Sequence, residues 1–184
     1  MTKASICLSR NCYMNSITDR FEFRDIRPEE FDRAAEIEQI VFPPNEAGFP
    51  DDIREQARIA PDCFMVAADR EDGGIAGLLY GIATNENRFR DAFFTDKTLH
   101  DPQGSNIMLL GLDIVPEYQG QGLGREVMRQ YCMREQARGR RKLILTCLPR
   151  LVGMYEKFGY TDLGLSDSKW GGEIWHEMEI VLNK

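Results

Sequence analysis

The stretch that decides the fold runs from Leu112 to Gly124 and reads LDIVPEYQGQGLG. An apolar run of strand type ends at Pro116, and a turn rich in glycine follows, with a helical pattern directly behind it. Backbone N–H groups at the start of a helix lack intrahelical acceptors and lie at the positive end of the helix dipole, so this turn is predicted to bind phosphate. The spacing of Gly120, Gly122 and Gly124 matches neither a P-loop nor the GxGxxG order of a dinucleotide-binding turn.

The same segment resembles the acyl-CoA-binding motif of the GNAT N-acetyltransferase superfamily, whose pattern is Gln/Arg-x-x-Gly-x-Gly/Ala after a strand. Gln119, Gly122 and Gly124 occupy its three defined positions. A second stretch, MYEKFGY at 154–160, is similar to the late Tyr-x-x-x-Gly-Phe/Tyr segment of that family. The resemblance covers residues 21–182 and implies a GNAT fold of the α/β class, with a central mixed sheet of about six to seven strands and helices on both faces.

The resemblance implies acetyl-CoA as the cofactor, bound by the end of the central strand, the glycine turn and the late tyrosine. The residues implied are Leu112, Asp113, Ile114, Gln119, Gly120, Gln121, Gly122, Leu123, Gly124, Arg125 and Tyr155. Asp113 is an acid in an otherwise apolar strand. Because side chains alternate along a strand, Asp113 is predicted to face away from Met108 and Leu110 and to have a structural role.

Within the superfamily, the chain is most similar to the arylalkylamine (serotonin-type) N-acetyltransferases. The segment TLHDP at 98–102 resembles their loop before the acyl-CoA strand, and residues 151–160 also match. In the vertebrate enzymes of this branch, two histidines on the central strand deprotonate the amine. The matching positions here are Met108 and Leu110, so the base of that branch is missing.

Direct acetyl transfer in a ternary complex requires the acceptor to lose a proton and the leaving thiolate to gain one. Tyr155 is the predicted acid, because a phenol of pKa about 10 can protonate the thiolate of a thiol with pKa about 8.5; simple packing of the last helix is the alternative. His100 and Glu38 are the candidate bases, since imidazole titrates near neutrality and Glu38 lies on the first predicted helix. A structural histidine, a solvated glutamate and a water chain are the alternatives.

A proline-rich connector, FPPNEAGFP at 42–50, follows that first helix and is framed by two aromatic residues. Such aromatic residues either wall an acceptor pocket or attach the connector to the core. The predicted pocket residues are Phe42, Pro43, Phe49, Phe64, Met108 and Leu110. Aromatic walls in an acidic protein suit a cationic aryl- or alkylamine.

The length of 184 residues suits one domain, predicted at 19–184 after a flexible extension at 1–18. A net charge of −7 without a long basic run argues against nucleic acid as a partner. Five scattered cysteines without a CxxC pair indicate neither disulfides nor a metal site. Since no apolar run has the length of a signal peptide or membrane span, a cytoplasmic enzyme without a membrane partner is predicted.

Three functional alternatives stay open. A small-molecule amine is the first expected substrate, and a peptide or protein N-terminus, which needs an open groove, is the second. A non-catalytic acyl-CoA-binding regulatory domain is the third, favoured by the missing histidines and opposed by Tyr155. The sequence leaves both a monomer and a homodimer open.

Overall fold

The structure, a computed structural model, describes residues 17–182. All but the last two residues of the predicted extension 1–18 lie outside this range, so that boundary stays a prediction. The helices and strands in chain order are β1 (Phe21–Asp25), α1 (Phe31–Val41), α2 (Pro50–Ile59), β2 (Phe64–Asp69), β3 (Ile75–Thr84), α3 (Ala92–Thr95), β4 (Asn106–Ile114), α4 (Leu123–Ala137), β5 (Lys142–Cys147), α5 (Val152–Lys157), β6 (Thr161–Leu165) and β7 (His176–Val181).

The strands form one mixed sheet of seven strands in the order β1-β2-β3-β4-β5-β7-β6. Neighbours are antiparallel except β4 and β5, which are parallel. The predicted mixed sheet with helices on both faces is confirmed. The sequence did not predict the short edge strand β6 as a separate element. Both of its leucines, Leu163 and Leu165, are exposed, so the segment lacks the alternation of buried apolar and exposed polar residues that marks a strand. The glycine between them, Gly164, has a φ of 91°, which lies outside the strand region.

Apolar residues of the helices cover the two faces of the sheet. Leu123, Val127 and Tyr131 recur at helical spacing on α4 and are buried with α5 against one face. On the other face, α1 and α2 bury Ile37 and Ile53. Each such side chain contributes about 1.5–3 kcal/mol when removed from water, so both faces contribute to the core.

Strand β4 contains a bulge at Leu110. Leu109 pairs with Gly81 and Gly111 pairs with Tyr80, so Leu110 has no partner in β3. An extra residue reverses the alternation of side chains beyond it. Residues on the α4 face are therefore odd-numbered before the bulge, such as Leu109, and even-numbered after it, such as Leu112.

The bulge makes the predicted direction of the Asp113 side chain wrong. Its carboxyl contacts Glu38 of α1, so Asp113 lies on the α1 face of the sheet, as do Met108 and Leu110. The prediction assumed strict alternation along β4, which a single inserted residue breaks.

The sheet opens between its two parallel strands. β4 and β5 pair only from Asn106 with Lys142 to Met108 with Ile144. Beyond that point no pairing joins them, although β4 continues to Ile114 and β5 to Cys147. This separation places backbone of both strands around a gap that reaches from one face of the sheet to the other.

Candidate functional site

A cavity of about 460 Å³ occupies the gap between β4 and β5. Its walls come from β4 and β5 themselves, from α4 and α5 on one face, and from α1 and two loops on the other. The cavity therefore connects the glycine turn before α4 with the proline-rich connector after α1. Two molecules that approach from opposite faces of the sheet can meet within it.

The glycine turn has the geometry of an anion site. Gly120 and Gly122 have φ values of 71° and 88°, which other residues rarely adopt. The first helical hydrogen bond of α4 runs from Glu126 N–H to Gly122 O at 3.1 Å, so the N–H groups of 122–125 have no intrahelical acceptor. Gln119 Nε2 donates to Ile114 O at 2.8 Å and ties the turn to the end of β4.

The predicted cofactor residues fall into two groups. Leu112, Ile114, Gln119, Gly124 and Tyr155 line the cavity, whereas Gly120, Gln121, Gly122, Leu123 and Arg125 form the turn and the start of α4 without lining it. Arg125 is exposed and forms no ion pair with any residue between 17 and 182. The side chain of Asp113 does not line the cavity. An N–H cradle at one end of a long, mostly apolar cavity suits the phosphates and the acyl arm of acetyl-CoA.

Tyr155, the predicted acid, is one of the residues that line the cavity. It is 8% exposed on α5 and packs edge-on against Tyr160 with ring centroids 5.6 Å apart. Burial raises the pKa of its phenol, with smaller contributions from Cys147 and Asp113. The phenol is therefore protonated at neutral pH, as a proton donor must be, and a pKa above the ordinary value of about 10 makes it a weaker acid than a free phenol.

Glu38 lines the same cavity from the other face of the sheet. It is 3% exposed, so the alternative of a solvated helical glutamate is wrong. Tyr80 Oη donates to Glu38 Oε2 at 3.0 Å, and Gly48 N–H donates to Oε1 at 2.9 Å. Burial raises the pKa of Glu38, while these donors and its contact with Asp113 act in the opposite direction.

His100 does not join this group. It does not line the cavity, and its Nδ1 accepts a hydrogen bond from Ala83 N–H at 3.2 Å. Burial lowers the pKa of this histidine. The loop that carries His100 contacts β3 at Ala83, at the level where β4 and β5 are still paired. His100 is therefore kept away from Tyr155 and Glu38, although it is close to β4 in the sequence.

The acceptor end of the cavity contains only part of the predicted set. Phe42 and Leu110 line it, but Pro43, Phe49, Phe64 and Met108 do not. Phe64 is stacked on Tyr80 in the core, with ring centroids 4.7 Å apart, and its strand lies two places from the gap. Met108 is fully buried on the last paired rung of β4, where the sheet is still closed. Pro43 and Phe49 lie on the exposed side of the connector.

The sequence analysis did not select most of the cavity lining, and among the residues it missed are the aromatic ones Phe94, Trp170 and Trp175. Phe94 and Trp170 stack with ring centroids 4.4 Å apart although they are far apart in the chain. No local pattern joins them. The sequence shows only that these aromatic residues lie in polar loops. Aromatic residues in such loops occur in ordinary packing as well as in binding sites, so their presence does not identify a site.

Two loops meet above this aromatic end. Trp170 Nε1 donates to Glu46 O at 2.7 Å, and Asn45 Nδ2 donates to Gly171 O at 3.1 Å. These bonds join the connector after α1 to the loop between β6 and β7. Trp175 Nε1 donates to Trp170 O at 2.9 Å and fixes the second loop internally.

The described part of the chain contains neither a candidate metal site nor a membrane-spanning helix. Residues 17–182 contain no cluster of His, Cys, Asp and Glu that could hold a metal ion. Within the same range, no helix combines the length and apolar character needed to span a bilayer.

Comparisons agree with this geometry. Residues 23–160 match the model of the acetyltransferase (GNAT) family. The GNAT-like decarboxylase GphF, solved with isobutyryl-CoA, is 16% identical with a TM-score of 0.76, covering 88% of this chain and all (100%) of its own. The loading GNATL domain of CurA from Lyngbya majuscula is 14% identical with a TM-score of 0.78, covering 88% and 98%.

The acetyltransferase YncA of Salmonella typhimurium, described as putative and solved with acetyl-CoA, is 13% identical with a TM-score of 0.63, covering 90% of this chain and 95% of its own. At these identities the likeness shows the fold, and no curated protein matches the sequence significantly. The family model covers most of the chain. The chain therefore belongs to the GNAT acetyltransferase family and is an acetyl-CoA-dependent N-acetyltransferase.

Proposed function

We propose that this enzyme acetylates a small primary aryl- or alkylamine by direct transfer within a ternary complex. The observation that carries the proposal is the aromatic lining of the cavity, in which the stacked rings of Phe94 and Trp170 share one cavity with the buried carboxyl of Glu38. An ammonium group is attracted both to a carboxylate and to the faces of aromatic rings, most strongly where water is excluded.

The residues divide the work between the two ends of the cavity. Bound acetyl-CoA supplies an acetyl group activated as a thioester. The N–H groups of 122–125 and the exposed Arg125 bind its phosphates. The backbone N–H of Leu110, the bulge residue that has no paired residue in β3, donates to the carbonyl oxygen as negative charge develops there.

Proton transfer falls to Glu38 and Tyr155. Glu38 accepts a proton from the ammonium group, directly or through one water molecule, and frees the nitrogen lone pair for attack. Tyr155 donates its phenolic proton to the departing thiolate. The two residues line one cavity from opposite faces of the sheet, so neither has to move across the site.

A peptide acceptor is the second candidate, and the bridge between the two loops argues against it. An extended chain needs an open groove beside the acetyl group, whereas hydrogen bonds from Trp170 and Asn45 join the loops over this end. A pocket bridged by loops in this way favours a compact acceptor.

An acceptor panel tests the proposal. Release of free thiol from acetyl-CoA is measured with an arylalkylamine, an alkylamine, a polyamine, an amino acid and a peptide. We expect the arylalkylamine to exceed the polyamine and the peptide at least about tenfold in kcat/KM, because a matched apolar group contributes 1–3 kcal/mol in a pocket. A preference for the peptide would overturn the proposal.

A further inference from the structure

A second carboxyl group lies behind Glu38. Asp113 is fully buried in β4, and neither of its oxygens receives a hydrogen bond from an N–H or O–H group of the described residues. Its carboxyl contacts that of Glu38. Two ionised carboxylates in contact repel each other strongly in a buried site, so a stable pair requires a proton on one of them.

The contacts of the pair decide which member holds that proton. Both oxygens of Glu38 accept hydrogen bonds, one from Gly48 N–H and one from Tyr80 Oη, and such donors favour an ionised carboxylate. Asp113 has no such donor. A protonated Asp113 therefore donates a hydrogen bond to Glu38, so its buried carboxyl gains a hydrogen-bond partner. An ionised Asp113 would be a buried charge without a hydrogen-bond donor.

The backbone of β4 is shaped around this arrangement. The bulge at Leu110 turns Asp113 towards α1, and Gly111 leaves room for the ring of Tyr80. A Cβ atom at Gly111 would lie 2.4 Å from Tyr80 Cε1, which no side chain tolerates. The site thus depends on a bulge and a glycine that together bring the groups of β3, β4 and α1 into contact.

No cation of the described residues neutralises the pair. Lys97 lies 3.6 Å from Asp52 of α2 and pairs with that residue instead. Tyr80 from β3 and Tyr155 from α5 are the other titratable groups that interact with the pair. Glu46, Cys147 and the exposed Arg150 line the same cavity, but none of them is among the groups that act on either carboxyl. Since no cation acts on either carboxyl, the proton shared by the pair is what lowers their repulsion.

We propose that Asp113 is a neutral carboxylic acid whose O–H donates to Glu38, and that it thereby holds Glu38 ionised to accept the proton of the substrate amine. Asp113 is then a positioning residue, and its effect on catalysis rests on the function proposed above. In the step, the N–H bond of the ammonium breaks, its proton binds to Glu38, and the electron pair stays on nitrogen. The pair then holds two protons and returns one to solvent after the acetyl group has moved.

Two substitutions at Asp113 test the proposal through the pH profile of kcat/KM. Asp113→Asn keeps a donor towards Glu38, so its acidic limb should stay close to that of the wild type. Asp113→Leu removes the donor, so the limb should move to higher pH by about one to two pH units, the equivalent of one hydrogen bond to a charged group. A limb that moves to lower pH in both variants would mean that Asp113 is ionised, and would overturn the proposal.

A spectroscopic measurement tests the same point without a substrate. The carboxyl ¹³C resonance of Asp113 should stay at its protonated position through neutral pH and disappear in Asp113→Asn. An ionised resonance at neutral pH would overturn the proposal in the wild-type protein itself, even if Asp113→Leu does not fold. If the resonance shows a protonated Asp113 but the enzyme acetylates no amine, the proposed function is wrong, while the proposal that Asp113 is neutral is supported.

Discussion

Met108 and Ile144 are the last residues through which β4 and β5 pair, and beyond them the cavity separates the two strands. The glycine turn lies at one end of this cavity, and Glu38 lines it from the opposite face of the sheet.

Acetyl-CoA should stabilise the protein, because a ligand that binds only the folded state shifts unfolding by mass action. At about 100 times Kd the gain is about 2.7 kcal/mol, which raises Tm by roughly 5–10 °C in a domain of this size. Differential scanning fluorimetry checks this. Gly122→Val should abolish the shift, because φ 88° excludes a β-branched residue.

Gly139→Val is the matched control for that substitution. Gly139 also has a positive φ, 83°, but lies at the far end of α4. The Gly139→Val substitution should lower Tm through backbone strain, but acetyl-CoA should still raise the Tm of this variant. Equal loss of the response in both variants would contradict the assignment of the glycine turn.

Tyr155→Phe removes only the phenolic proton donor. We expect kcat to fall by roughly 10- to 1000-fold with little change in cofactor affinity, as loss of a general acid does. Steady-state kinetics and cofactor titration measure the two effects. Tyr160→Phe is the control, because that buried phenol donates to Met128 Sδ and does not itself line the cavity. An unchanged kcat in Tyr155→Phe would leave the residue a packing role.

Glu38→Gln should lower kcat/KM by roughly 100-fold or more at neutral pH, because the amide accepts no proton. Burial raises the pKa of Glu38, so the acidic limb of the wild-type profile should lie above the ordinary glutamate pKa of about 4.3. His100→Gln should leave both rate and profile unchanged. Loss of activity in His100→Gln alone would restore the histidine as the base.

Trp170→Ala should raise KM for an arylalkylamine by roughly tenfold, because it removes an aromatic wall and the hydrogen bond to Glu46. Binding of acetyl-CoA should be unaffected. Phe49→Ala is the control, since that ring touches Trp170 edge-on but is 60% exposed outside the cavity. Similar kinetic effects of both substitutions would indicate that the loop, rather than the cavity wall, controls KM.

The free energy of unfolding should fall as the pH rises from the unfolded pKa of Asp113 to its higher folded pKa. Burial and Glu38 raise this pKa well above the value of about 3.9 in an unfolded chain. The contribution is therefore complete below the unfolded pKa and decreases by about 1.4 kcal/mol per pH unit until the folded pKa is reached. Denaturant unfolding at several pH values should show this slope, and Asp113→Asn should flatten it. A wild-type slope as flat as that of the variant would contradict the shift.

Local chemistry determined much of this protein from the sequence. The order of Pro116, Gly120 and Gly122 ends a strand and opens a helix through backbone conformations that other residues rarely adopt, so the anion turn was predictable without any distant contact. The helical spacing of Leu123, Val127 and Tyr131 likewise predicted the buried face of α4, as the structure confirms.

The proposed acceptor site was decided by tertiary structure. The direction of Asp113 depends on a bulge at Leu110 that exists only because β3 pairs on both sides of it, and strict alternation predicted the opposite face. The neighbours Phe94 and Trp170 come from loops that only the folded sheet brings together, whereas His100, close to β4 in sequence, docks elsewhere. Backbone turns are specified by neighbouring residues, but register and loop contacts depend on pairings between distant segments, and no local pattern contains them.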